Sequence, residues 1–147
     1  MLLKVEKLVK MYKIPVLGGV AKELNYLLGV DIPRCVVIGD NVSFPHNSFG
    51  TVIHDNTVIK DNVKIYQNVT LGRADVYKST KDSTLEFKGF LIKEGACICA
   101  GAKLICKKGT LVVGENAVVG ANAVLLNSIG DNEIWCGVPA TFIGMRR

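Results

Sequence analysis

A branched aliphatic residue recurs every six positions at Ile53, Ile59, Ile65 and Leu71. Four residues after each of the first three stands a second, smaller or β-branched residue: Thr57, Val63 and Val69. Neither an amphipathic helix nor an alternating strand repeats at six. A fixed internal period marks stacked units that share one core, and a period of six belongs to the hexapeptide β-helix. In such a helix each short strand is followed by a turn, here rich in Asn, Asp and Gly, and three units make one triangular coil. The register returns at Ile32–Val36 and Ile38–Val42 upstream. It returns again at Ile92–Ala96, Ile98–Ala102, Val113–Ala117 and Val119–Ala123 downstream. After residue 30 no helix-period segment separates the strands, so a packed α/β layer is excluded. The chain reads as mainly β.

The 147 residues fit one domain, and 49% hydrophobic residues with 15 glycines fit a compact repeat fold rather than disorder. Short β-helices leave open ends and flat faces, so caps or partner subunits are expected. The net charge is +5, but the basic residues are scattered, without the aromatic-interleaved basic stripe of a nucleic-acid binder. That excess reads either as a solvated surface or as a site for an anionic cofactor. Five cysteines, at 35, 97, 99, 106 and 136, contain no CxxC pair. Free thiols point to a reducing, cytoplasmic compartment, with Cys97 and Cys99 filling slots that want small residues on either side of Ile98.

Residues 1–30 lie outside the repeat. Leu2, Leu3, Val5, Leu8 and Val9 have helical spacing with lysines between them. Pro15 and Gly18-Gly19 interrupt, and Ala21 to Leu28 reads as a second helix ended by Gly29. No apolar run is long enough for a membrane span, so this segment is expected to cap the first coil, with shallow docking on an anionic membrane as the alternative. Residues 31–147 form the coil. Three extra residues fall within Pro45–Gly50, which contains His46. The repeat is suspended between residues 73 and 91, as in a projecting loop, and a further nine-residue step carries Lys107-Lys108-Gly109. After Leu126 the chain is expected to leave the coil in a tail, 127–147.

Asp31-Ile32 through His46, Ile65-x-Gln67-x-Val69-Thr70-Leu71-Gly72, Ala100-Gly101-Ala102-Lys103 and Gly137-Val138-Pro139-Ala140 together resemble the catalytic domain of the serine acetyltransferase family. The motifs appear in the family's order from Val30 to Ala140, without its large helical N-terminal domain. The resemblance implies a left-handed parallel β-helix, an exception to the usual right-handed crossover. It also implies a homotrimer binding acetyl-CoA between neighbouring prisms, and no metal.

Acetyl transfer from a thioester to an alcohol requires the hydroxyl to lose its proton as it attacks, a task suited to neutral imidazole. The resemblance assigns that role to His46 and an orienting role to Asp31, fifteen residues earlier. Gln67, Asn47 and Lys88 are the acceptor-binding candidates. Gly72, Ala100, Gly101 and Ala102 are small enough to admit the pantetheine arm. Lys103, Lys107, Lys108 and Arg146 are candidates for the CoA phosphates. His54 reads as surface or groove rim.

Two family features that hold free serine are altered: the Asp preceding the base is Pro45, and an Arg-His pair is Lys88-Gly89. The expectation is therefore O-acetylation of a sugar hydroxyl on a surface-polysaccharide precursor, with L-serine as the alternative acceptor. A carbonic-anhydrase-type zinc site would want three histidines, and the chain has two. A non-catalytic trimeric scaffold would bind no acetyl-CoA.

Overall fold

The computed structural model describes residues 4–78 and 87–147. Leu2, Leu3 and the middle of the projecting loop fall outside them. The repeat folds as a left-handed parallel β-helix. One face stacks β1 (Val37–Ile38), β2 (Thr57–Ile59), β5 (Phe87–Ile92) and β8 (Gly109–Val113). The second stacks β4 (Thr70–Arg73), β7 (Lys103–Cys106) and β10 (Val124–Leu125), extended downward by the bridges of Val52 to Thr70 and to Asp31. The third stacks β3 (Lys64–Ile65), β6 (Cys97–Ile98), β9 (Val118–Val119) and β11 (Glu133–Cys136), with β12 (Thr141–Met145) folded back antiparallel on its edge.

Both repeated positions point into the prism. Ile59, Ile65, Ile92, Ile98 and Leu104 are fully buried, as are the smaller Val63, Val69, Ala96, Ala102, Ala117 and Ala123 that alternate with them. Large and small residues must alternate because three strands converge on one narrow axis, and interiors close-pack. Asn62, Asn68, Asn116 and Asn122 take left-handed backbone at the turns, a conformation Asn tolerates and most side chains avoid. Gly101 (φ 74°) sits at the matching turn below Asn122, where a Cβ would come within 2.0 Å of the Asn122 carboxamide oxygen.

The N-terminal residues cap the first coil with α1 (Val5–Lys10), a 3-10 turn at Met11–Lys13, and α2 (Leu17–Leu27). Val5, Leu8, Val9, Tyr12 and Ala21 join the same apolar core as the coil. The second helix starts four residues before the expected Ala21, and Gly18-Gly19 lies inside it. Gly18 is there for proximity: a Cβ would sit 2.4 Å from the Tyr12 carbonyl oxygen, which accepts from Arg34 Nη2 at 2.9 Å.

Two other boundaries differ from expectation. Strand β5 begins at Phe87, inside the expected loop 73–91, because Phe87 and Phe90 pack together and Gly89 bulges over the Asn56 carbonyl. The chain also stays on the coil after Leu126: Ile129 bridges to Val113 and β11 pairs with β9. Ile129 is buried, which continues the axis without a clean six-residue signal.

Candidate active site

The three inserted residues remake one corner of the prism. Pro45–Ser48 form a 3-10 turn in which His46, Asn47 and Ser48 all have positive φ (55°, 53° and 44°). Such backbone is uncommon for His and Ser and is held by its surroundings. The Ser48 hydroxyl, fully buried, donates to the Ile65 carbonyl at 2.5 Å, and Thr51 Oγ1 donates to the Tyr66 carbonyl at 3.1 Å. The turn thereby carries His46 outward. Its ring is exposed, 6.3 Å from the Tyr66 ring centroid, on a cavity of 440 Å³ lined by Lys4, Glu6, Phe44, Pro45, Asn47 and Phe49.

His46 occupies the corner between the third and second faces. Directly above it on successive coils lie Tyr66 and Gln67, then Cys99, Ala100 and Gly101, then Gly120 to Asn122. Gly101 N–H donates to the Gln67 carbonyl and Asn122 N–H to the Ala100 carbonyl, so these turns stack in register. Ala100 and Gly101 leave the corner shallow above the imidazole. Gln67 Oε1 is buried there without a hydrogen-bond partner. Lys103 Nζ donates to the Asn68 carbonyl at the same corner.

The other candidates separate. Asp31 makes no hydrogen bond or ion pair with His46; it lies beside Tyr26, Val30, Gly50 and Val52, across the 3-10 turn from the ring. His46 and Asp31 line different cavities, so the expected contact is not formed within the chain. Ala102 is fully buried on the prism axis and offers no surface to a ligand. Gly72 opens outward on β4, with nothing nearer than 3.8 Å to an added Cβ. Lys88 lines a different cavity, with Cys35, Asn56, Thr57 and Leu91 on the first face. Lys107 and Lys108 line a third, with Asn127 and Ser128. Arg146 donates to the Gly95 and Asn116 carbonyls at yet another corner. These cations therefore lie on different edges of the single prism. His54 packs edge-on against Phe87 (4.7 Å) and its Nδ1 meets Asp55 at 2.6 Å, a rim position.

The sequence reading missed the relation among three thiols. Cys97 and Cys99 flank the inward Ile98 on the outer surface and are half-buried. Cys136 reaches over Gly120 toward them: a Cβ on Gly120 would sit 2.2 Å from Cys136 Sγ. The Cys99 thiol, hydrogen-bonded to Cys97, lowers the Cys97 pKa to about 7 against the opposing effect of burial, helped by Lys64 and Arg146. The same hydrogen bond, burial and the neighbouring thiols push Cys99 up. The lowered pKa favours the thiolate of Cys97 over that of Cys99. Alkylation of Cys97 by iodoacetamide, followed by peptide mass spectrometry, should rise with a midpoint at about 7. Cys99→Ala should move that midpoint upward.

A prism of hexapeptide coils, with one inserted turn presenting a histidine at a corner of small residues, defines a left-handed β-helix protein of the hexapeptide-repeat class. Within that class the chain is serine acetyltransferase-like. It is 36% identical over 122 residues to the serine acetyltransferase of Escherichia coli, covering 83% of this chain and 41% of that protein. It is 34% identical over 121 residues to that of Haemophilus influenzae, covering 82% and 41%. The crystal structure of serine acetyltransferase from Brucella abortus superposes with a TM-score of 0.74 at 27% identity, over 97% of this chain and 55% of that one. Its complex with coenzyme A gives 0.71 at 26%, over 97% and 54%. The chain thus spans about two fifths of the length of these curated relatives. No protein-family model matches it.

Proposed function

We propose that the chain is an O-acetyltransferase that moves the acetyl group of acetyl-CoA to the hydroxyl of L-serine. The observation that carries this reading is the exposed His46 on its left-handed turn, at the foot of the corner kept shallow by Ala100 and Gly101. His46 takes the hydroxyl proton as the oxygen attacks the thioester carbonyl. The tetrahedral intermediate collapses with cleavage of the C–S bond, and the imidazolium returns the proton to the departing CoA thiolate. Backbone N–H groups of the corner turns supply the oxyanion's donors. Asp31 remains the candidate for orienting His46, a role that requires the turn to close on the ring.

Serine replaces the sugar precursor expected from the Pro45 and Lys88-Gly89 departures. The relatives are serine acetyltransferases, and the described residues lining the His46 cavity include one carboxylate and one ammonium, a poor match to a neutral hexose. Lys103, at the His46 corner, is the candidate for a CoA phosphate. A homotrimer would bring Lys107, Lys108 or Arg146 of a neighbouring copy to the cleft, and the exposed Val37, Val52 and Phe49 give such a contact apolar area. No helix among the described residues is long and apolar enough to cross a membrane, and we place the protein in the cytoplasm on its free thiols. Thiol release from acetyl-CoA should be stimulated by L-serine, with O-acetylserine identified by mass. Release with nucleotide- or lipid-linked sugars and none with serine would overturn the acceptor. No release with any alcohol would overturn the activity.

A further inference from the structure

We propose that the N-terminal cap supplies the charges that select the acceptor, with Glu6 receiving the ammonium and Lys4 the carboxylate of a zwitterionic amino alcohol whose hydroxyl faces His46. The inference rests on the serine reading above and names residues that the repeat itself does not contain. Among the described residues lining the His46 cavity, Glu6 is the only carboxylate and Lys4 the only ammonium. Glu6 is fixed in place because its Oε1 accepts the Phe44 N–H at 3.0 Å, two residues before His46. Its Oε2 is buried and has no hydrogen-bond partner. Glu6 also borders the neighbouring cavity with Lys10, Lys13 and Arg34, yet makes no ion pair with any of them among the described residues.

A buried carboxylate oxygen left without a donor is costly, and an arriving ammonium removes that cost. Pro45 cannot provide an acidic group beside His46, and Lys88 faces another cavity. The cap therefore holds the acidic and basic groups that a zwitterion requires in that cavity. A site built around a charged group rejects the analogue lacking it far more strongly than an apolar pocket rejects a missing methylene.

Glu6→Gln isolates the charge, because the amide oxygen still accepts the Phe44 N–H. At saturating acetyl-CoA, kcat/KM is measured for L-serine and for 3-hydroxypropanoate, which lacks the ammonium. Glu6→Gln should lower the ratio of the two by about tenfold or more, chiefly through the KM for serine. Lys4→Met should likewise lower the ratio of L-serine to ethanolamine, which lacks the carboxylate. A ratio unchanged in Glu6→Gln, or an equal loss on both acceptors, overturns the proposal and leaves Glu6 a prop for the turn. Wild-type protein that acetylates other alcohols but not serine overturns the acceptor reading itself, an outcome visible before any variant is made.

Discussion

Replacing His46 by alanine is expected to lower serine-dependent thiol release by about 10²–10⁴-fold, the usual worth of a placed general base. The serine hydroxyl is far too weak an acid to ionise near neutrality, and no other imidazole is available at this corner. His54 is turned to Phe87 and Asp55 on the rim. The variant should stay folded, because the His46 ring is exposed and the turn is held by Ser48 and Thr51 beneath it. His46→Asn provides a control, since Asn accepts left-handed backbone readily while lacking a basic ring nitrogen. Both variants should melt near the wild-type temperature. Turnover that survives either substitution would remove His46 from the chemistry.

Phe90→Ala is expected to cost about 3–5 kcal/mol of stability, read from the midpoint of urea unfolding. Phe90 is 2% exposed and its backbone pairs with Thr57 below and Leu111 above. Its ring lies 5.7 Å from that of Phe87, so truncation opens a void within β5 beside Phe87. The coil cannot close that void cheaply, because each strand's height is fixed by hydrogen bonds to the coils on either side. Leu91, one residue along and pointing out of the prism, should cost far less when truncated. Equal effects at the two positions would mean that the inside and outside of β5 are assigned wrongly.

Much of the architecture was legible because the repeat encodes it locally. Ile98 and Ala102 are buried by their place in a six-residue period, whatever lies on the coils above and below. The motif match, not the period, misled at Ala102, where a small residue in a matched run reads as room for a ligand although its period places it on the axis. Gly18 misled in the opposite direction. A helix-breaking pair in sequence proved to be a close approach between helix α2 and Tyr12, a contact only the docked cap creates.

Sequence alone determined the coil, its inside and outside, and the inserted turn that bears His46, since these depend on spacing along the chain. The tertiary structure decided which groups share a cavity with that imidazole. Glu6 and Lys4 join it because the cap folds over the first coil, while Asp31 lines a different cavity, beside Tyr26, Gly50 and Val52. The same holds for Cys136, far along the chain from Cys97 and Cys99 and brought beside them only through the stacking of coils. Side chains at a corner meet through the rise of the helix and the dihedrals of its turns, and neither is written in the period.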